Sequence, residues 1–302
     1  MTAQSTSGEH AADEHDLGLL HDLTVMRSRR NALLLFGAAG VAAVAAGCSS
    51  DSEPASAGPA STSTAAADCH AAAPQETAGP YPGDGSNGPN VLIESGVVRK
   101  DITTSFGQYS GTAHGVPATI ELTFQDLAEN CGPGSGMAVY VWHCDRDGEY
   151  SLYGKEITEQ NYLRGVQVAD DAGRMVFTSV FPACYSGRWP HIHFEVFDSL
   201  EAAVAGSDAR LTSQIALPKA ACDEVYAHDS GYAQSISNLS GISLETDNVF
   251  GDGWDAEMAT VTGTPATGMT IAITVGVAEK SQNQQSDPVP GDAPGQQPPG
   301  PR

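Results

Sequence analysis

The sequence predicts an all-β fold, a β-sandwich of mainly antiparallel strands joined by long loops. Short runs in which apolar and polar residues alternate, rich in β-branched and aromatic side chains, are typical of half-buried strands. The runs are 118–124, 138–143, 175–181, 191–197 and 269–275. Turns rich in Gly, Pro and Asp separate them, a pattern typical of sandwiches and barrels. The helical pattern is limited to a turn or two near 199–204 and 219–226.

Residues 1–47 have the pattern of an export signal. A polar leader ends in Arg29 and Arg30, and an apolar run of 15 residues extends from Ala32 to Ala46. This run is shorter than the roughly 20 residues of a membrane-spanning helix, so it indicates a secretory signal. The arginine pair favours twin-arginine export, and the small residues before Cys48 are similar to a lipobox, whose cysteine receives a lipid.

This N-terminal pattern sets the expected localisation. We expect an exported, extracytoplasmic protein on the outer face of the cell membrane, touching the membrane only through a lipid anchor at Cys48. A plain cleaved signal with an incidental cysteine is the alternative.

The rest of the chain divides by composition into three segments. Residues 48–68 are rich in Ser, Ala, Thr and Pro and predict a flexible tether. Residues 280–302 are rich in Pro and Gln and predict a disordered tail. Between them, residues 69–279 are long enough to bury a hydrophobic core and are expected to form the single sandwich domain.

Charge and cysteine content limit the possible functions. The formal net charge is −23, and because phosphate binding needs a basic face, the sequence argues against a nucleic-acid partner. An oxidising compartment predicts one or two disulfides among the five cysteines beyond Cys48, and because five is odd, at least one thiol stays free or pairs elsewhere. Those cysteines lack a CxxC zinc pattern and lie at positions 69, 131, 144, 184 and 222. Cys144 is one candidate partner for Cys184, but the sequence leaves the pairing open.

The stretch from Tyr185 to His193 places a phenol and two imidazoles close together. On an extended strand residues i and i+2 share a face, so His191 and His193 can reach one metal ion. Tyr185 precedes them across a Gly and a Pro that favour a turn, and Tyr150 follows a strand and a turn. Imidazole nitrogens with phenolate oxygens form a fairly hard donor set that suits ferric iron. The pattern predicts a metal-dependent enzyme.

Spaced motifs surround these candidate ligands. They are Glu76–Pro82, Val139–Tyr150, Asn161–Gln167, Phe177–Tyr185 and Arg188–Phe194. In type and order they resemble the signature of the intradiol ring-cleavage dioxygenases, whose best-known members are the catechol and protocatechuate dioxygenases. The resemblance covers most of 76–217 and is closer to exported single-chain members than to the cytoplasmic enzymes.

The resemblance implies a site and a reaction. The site would hold one non-haem Fe(III) per chain through Tyr150, Tyr185, His191 and His193. The substrates would be a catechol-type diol and O2, with the ring cleaved between its hydroxyl-bearing carbons to a muconic-type diacid. Tyr185 would leave the metal and accept a proton when substrate binds. Arg188 would stabilise negative charge on the ring, and Gln214 would lie near the substrate.

Two other interpretations stay open at this point. His143 could join His191 and His193 in a copper or zinc site, and both tyrosines would then be dispensable; a packed, hydrogen-bonded His143 is the simpler interpretation. The chain could also be a non-catalytic extracellular binding module on the same fold. The oligomeric state is not predicted, because the helical domain that dimerises the cytoplasmic enzymes is replaced here by the tether.

Overall fold

The computed structural model describes residues 69–206 and 208–282. The strands are β1 (Pro117–Asp126), β2 (Gly132–Pro133), β3 (Ala138–Trp142), β4 (Arg164–Val168), β5 (Arg174–Val180), β6 (His191–Phe197), β7 (Leu211–Ala216), β8 (Thr260–Thr264) and β9 (Gly268–Val277). The helices are α1 (Leu200–Ala205), α2 (Lys219–His228) and α3 (Ala233–Ser240), with 3-10 turns at Ser230–Tyr232, Leu244–Thr246 and Phe250–Asp252. The predicted export signal, Cys48, the tether and most of the predicted tail lie outside the described residues.

The strands form two sheets. The five-stranded sheet has the order β2-β1-β9-β8, with β5 also paired to β1. Its β1–β9 pair is parallel, whereas the four-stranded sheet, in the order β4-β3-β6-β7, is antiparallel throughout. The prediction of a β-rich domain with little helix is confirmed. No helix within the described residues is long and apolar enough to cross a membrane.

All five predicted runs are strands, with ends that differ by at most two residues. The strands that alternation does not reveal are β2, β4, β7 and β8. Every residue of β7 is buried, so both of its faces avoid water and no polar alternation is required. In contrast, β8 is an exposed edge strand, Thr-Val-Thr-Gly-Thr, with a weak apolar pattern.

One hydrophobic cluster draws its residues from both sheets. Phe124 of β1 and Phe194 of β6, for example, lie with ring centroids 6.5 Å apart. All seven residues of β6 are buried, so the side chains that point away from this cluster are covered as well. We call that second side, which carries His191, His193 and Glu195, the outer face of the four-stranded sheet. Polar groups on it are shielded from water by the loops above.

A single disulfide joins Cys69 to Cys131 among the described residues. Cys144, Cys184 and Cys222 are free and buried. The suggested Cys144–Cys184 bond is therefore wrong, whereas the expectations of one or two disulfides and of an unpaired thiol are confirmed.

Removing this disulfide should destabilise the domain strongly. The bond spans 62 residues, and closing a loop of that length in the unfolded chain stabilises the fold by about 4 kcal/mol. We expect the double variant Cys69→Ala/Cys131→Ala to lose that much free energy of unfolding in urea. Dithiothreitol should lower the free energy of unfolding of the wild type to that of the variant and should leave that of the variant unchanged. Equal midpoints for the variant and the oxidised wild type would contradict this prediction.

Glu257 is a buried acid next to β7. Its side chain is 1% exposed and accepts a hydrogen bond from Ser213 Oγ at 3.2 Å, while Oε2 has no partner among the described residues. Burial, reinforced by the nearby charge of Glu76, raises the pKa of Glu257 from 4.5 to about 9. The folded state therefore binds this proton more tightly than the unfolded state does.

This buried acid should make stability fall as pH rises. Its contribution is fully present below pH 4.5 and is lost as pH approaches 9, because the unfolded chain releases the proton first. We expect Glu257→Gln to flatten this slope and to raise the free energy of unfolding at pH 8 by at least ~1 kcal/mol. Urea titrations at pH 5 and pH 8 measure this change in the free energy of unfolding with pH. The control is Glu224→Gln, at an exposed position of α2, which should leave that pH dependence unchanged.

Candidate metal centre

The predicted histidines lie on the outer face of the four-stranded sheet. Along β6, His191 and His193 alternate with core residues such as Phe194. Strand register places His193 directly between Trp142 of β3 and Gln214 of β7. The rings of His193 and Trp142 stack, with centroids 4.9 Å apart and planes inclined by 6°. The central strand of a sheet buried on both faces thus positions both imidazoles.

Local hydrogen bonds shape the two loops that carry the tyrosines. In the turn after β3, Asp145 Oδ1 accepts two backbone N–H bonds of 3.0 Å, which shapes the loop that ends at Tyr150. After β5, Asn238 of α3 donates to the carbonyl of Cys184 at 2.8 Å and so holds the residue before Tyr185. Loops at strand ends can converge side chains that the strands alone cannot.

Four donor atoms meet around His191. Its Nε2 lies 3.3 Å from Tyr150 Oη, 3.3 Å from Tyr185 Oη and 3.1 Å from His193 Nε2. Two donors bound to one metal at about 2.1 Å are themselves about 3 Å apart, so these separations fit a shared ion. The structure therefore brings together all four residues that the sequence singled out.

The tautomer of His191 suits a metal ligand. Its Nδ1 donates to the carbonyl of Trp189 at 2.5 Å, so the lone pair of Nε2 faces the two phenols and His193. A backbone carbonyl that fixes the far nitrogen is a recurring device at metal-binding histidines. His193 differs, because its buried Nδ1 has no partner among the described residues.

Burial sets the protonation of the four side chains. It lowers the pKa values of His191 and His193 well below the ordinary value, which leaves neutral imidazoles able to bind a metal. It raises the pKa of Tyr150 well above 10 and that of Tyr185 to about 12. Both phenols are therefore neutral at pH 7 unless a bound cation stabilises the phenolates. The donor set fits a hard trivalent ion, whose charge the phenolates would balance.

The copper or zinc alternative that uses His143 is wrong. His143 Nδ1 donates to the carbonyl of Cys144 and Nε2 accepts from Ser179 Oγ, both at 2.7 Å, so neither nitrogen is free for a metal. In 69–206 and 208–282, no three His, Cys, Asp or Glu side chains group to hold a metal ion. The prediction of a packed, hydrogen-bonded His143 is confirmed.

Arg188 lies beside the donor atoms and is held by two partners. Its Nη2 donates to Gln214 Oε1 at 2.7 Å, and its Nε donates to Asp247 Oδ2 at 3.0 Å. Gln214 in turn donates to the carbonyl of Thr77 at 2.9 Å. Burial alone would lower the pKa of Arg188, but the negative charges of Asp247 and of Tyr185 in its phenolate form outweigh burial and raise that pKa. The structure brings Arg188 and Gln214, both expected near the substrate, into contact with each other and adds Asp247.

The segment 76–83 forms a roof over the donor atoms. The ring of Tyr81 lies 5.1 Å from that of Tyr150, centroid to centroid. Gly79 has a φ of +69°, and a Cβ there would lie 3.3 Å from His193 Cε1, so glycine both permits the backbone turn and leaves room for the imidazole. The sequence marked this segment as a motif but gave its residues no role.

Arg164 donates hydrogen bonds to the backbone of this roof, at the carbonyls of Tyr81 and Pro82. It is 1% exposed, and its hydrogen bonds all end on neutral oxygens rather than on a carboxylate. The acceptors are Ser151 Oγ (3.0 Å), Ser151 O (2.9 Å), Tyr81 O (2.9 Å), Pro82 O (2.7 Å) and Tyr140 Oη (3.0 Å). One guanidinium thus ties the roof to the residue after Tyr150.

Comparison with known proteins shows the fold. No family model matches the chain. The chain is similar to an intradiol ring-cleavage dioxygenase from Tetranychus urticae, with 21% identity over 72% of this chain and 98% of that one and a TM-score of 0.54. A second dioxygenase crystal structure matches at 21% identity with the same coverage and a TM-score of 0.53. These two likenesses show that the chain has the β-rich fold of intradiol dioxygenases.

Proposed function

We propose that this protein is a non-haem Fe(III)-dependent intradiol dioxygenase that cleaves a catechol-type ring with O2 to a muconic-type diacid. The carbon–carbon bond between the two hydroxyl-bearing carbons breaks, and each of those carbons receives one oxygen atom of O2. Tyr150, Tyr185, His191 and His193 would hold the iron. We also infer that the two sheets pack face to face as a sandwich.

The observation that carries the proposal is the convergence of two phenol oxygens and the Nε2 of His193 on His191 Nε2, at 3.1 to 3.3 Å. This donor set has the hardness and the charge that ferric iron requires. The shared fold supports the same class of reaction, and the sequence motifs lie on the elements that form the site.

The chain's own groups can perform the remaining tasks. Bound ferric iron would supply the charge that favours a catechol dianion and makes the ring reactive toward O2. Held on the iron as a phenolate, Tyr185 would be a suitable acceptor for one of the two protons that the incoming diol loses, because burial raises the pKa of this side chain to about 12, and the other proton would go to solvent. The guanidinium of Arg188 stabilises negative charge on the ring in a site shielded by the roof. Gln214 keeps that guanidinium in place.

The test is the visible spectrum of the purified domain before and after anaerobic addition of catechol, followed by O2 uptake. Phenolate-to-iron charge transfer should colour the protein, catechol should shift the band, and oxygen should then yield the diacid. A protein that stays colourless after ferric reconstitution would overturn the proposal. A coloured protein that consumes no O2 with any catechol would favour the non-catalytic binding module.

The localisation is a separate part of the proposal and rests on sequence alone. Twin-arginine export and a lipid on Cys48 would place the domain outside the cytoplasm on a tether. Fractionation of cells that express the full chain and its Cys48→Ser variant tests this. The wild type should be in the membrane fraction and the variant should be released; wild-type protein in the soluble cytoplasmic fraction would contradict it.

A further inference from the structure

Arg188 is fixed on two sides by groups from distant parts of the chain. Asp247 binds its Nε with Oδ2 at 3.0 Å and approaches Nη2 with Oδ1 at 3.4 Å. Gln214 Oε1 accepts from the same Nη2 at 2.7 Å. Nη1 therefore remains as the guanidinium nitrogen without an acceptor among the described residues. A guanidinium held in this way has little freedom to rotate.

Asp247 is itself immobilised. Its side chain is fully buried, and its two oxygens accept backbone N–H bonds from Trp189 (2.6 Å), Val249 (2.9 Å) and Phe250 (3.2 Å). Because one carboxylate binds both the side chain of Arg188 and the next backbone N–H, it sets the course of the chain at this point. Such short bonds to a charged acceptor are strong and directional.

Asp247 also belongs to a wall of the site. The ring of Phe250 packs near His191, with centroids 6.5 Å apart. The wall lies in the region 241–254, which follows α3 and is beyond the motifs that suggested the reaction. The carboxylate thus links Arg188 to a part of the site that those motifs do not include.

We propose that Asp247 is a positioning residue. It orients Arg188 so that Nη1, and not Nη2 or Nε, donates to the oxygen atoms attached to the aromatic ring of the substrate. The inference rests on the proposed function for the identity of the substrate. Asp247 does not touch the substrate and acts only through Arg188. Because Nε donates to Asp247 and Nη2 donates to Gln214, neither nitrogen is available to donate to the substrate.

A double-mutant cycle tests whether Asp247 acts through Arg188. The proteins are the iron-loaded wild type, Asp247→Asn, Arg188→Met and the double variant, assayed for catechol cleavage. We expect Asp247→Asn to lower kcat at least tenfold, with a smaller change in KM. In the Arg188→Met background the same substitution should change kcat less than twofold, because there is no guanidinium left to orient. The double variant also buries no unpaired charge, which protects its folding.

A buried ion pair at the other end of β7 supplies the control. Arg210 binds Asp126 with Nη2 to Oδ1 at 2.5 Å, and both side chains are largely buried. Asp126→Asn should reduce stability about as much as Asp247→Asn does, yet leave kcat within twofold of the wild type. Losses in kcat that multiply in the double variant, or an unchanged kcat in Asp247→Asn, would overturn the proposal.

A second readout does not require turnover. In protein labelled with ¹⁵N-arginine and loaded with diamagnetic Ga³⁺, the Nε–H resonance of Arg188, assigned by its absence in Arg188→Met, should exchange slowly with water. Exchange should be at least tenfold faster in Asp247→Asn and unchanged in Asp126→Asn. If the wild type cleaves no catechol but this difference appears, the proposed function fails while the positioning of Arg188 stands. Equal exchange rates in Asp247→Asn and the wild type would overturn the positioning.

Discussion

Tyr150→Phe is expected to abolish the metal centre while leaving the fold intact. The substitution removes one of the four donor atoms of the site and one of the two phenolate charges that would balance a trivalent ion. We expect iron content to fall well below one per chain and kcat/KM to fall at least ~100-fold, or about 2.7 kcal/mol. Metal analysis, the visible spectrum and O2 uptake with catechol measure these effects.

The matched control for this experiment is Tyr226→Phe. Tyr226 is also buried, and its hydroxyl donates to the carbonyl of Pro182 at 3.1 Å, away from the donor atoms. Tyr226→Phe should retain iron, colour and turnover, because it removes only structural hydrogen bonds, each worth about 1 kcal/mol, to Pro182 and Cys222. Full iron content and an unchanged charge-transfer band in Tyr150→Phe would show that Tyr150 is not a ligand.

Arg164→Met is expected to cause the largest loss of stability among single substitutions near the site. It leaves the carbonyls of Tyr81 and Ser151 without their donor, whereas the carbonyl of Pro82 still accepts from the hydroxyl of Tyr140 at 2.6 Å. Each unsatisfied buried group costs about 1–3 kcal/mol, so we expect a loss of at least ~2 kcal/mol in the free energy of unfolding, measured in urea. Arg164→Lys should recover only part of it, since an ammonium has three donors and no planar fork.

The same substitution should also open the site. Without Arg164 the segment 76–83 loses its tie to the residue after Tyr150, so proteases should cleave this segment faster and the catechol complex should weaken. Arg210→Met is the control, because it removes another buried arginine, one that lies at the far end of β7. It should reduce stability without faster cleavage at 76–83. Equal cleavage rates in the two variants would contradict the role given to Arg164.

The two histidines of the site could be predicted from the sequence for a simple reason. An alternating strand fixes the relative direction of residues two apart, so His191 and His193 must share a face wherever the strand lies. Tyr150 and Tyr185 come from loops, and their convergence on the same point followed only from the resemblance of the motifs. The structure supplies the distances that alternation cannot.

Other parts of the site carry no local signal. Asp247 is one of 37 acidic residues and lies at the end of a 3-10 turn. Nothing in the sequence around it indicates that its partner is Arg188, 59 residues away. Arg164 was read as part of a motif, but a buried cation bound only by neutral oxygens contradicts the usual expectation that buried charges are paired. Alternation does not reveal β7 because every one of its residues is buried, and a strand covered on both faces need not alternate.

The pairing of β1 has a consequence for the order in which the domain can fold. β1 lies beside β5, with Pro117 opposite Val180, and beside β9, with Ala118 opposite Met269. The middle of the five-stranded sheet therefore joins an early and a late part of the chain. Contacts between residues so distant in sequence slow folding, because the ends of a long loop must meet before the hydrogen bonds between β1 and β9 form. A ribosome-bound chain that stops short of Gly268 leaves one edge of β1 open, and the sheet closes only after synthesis of β9.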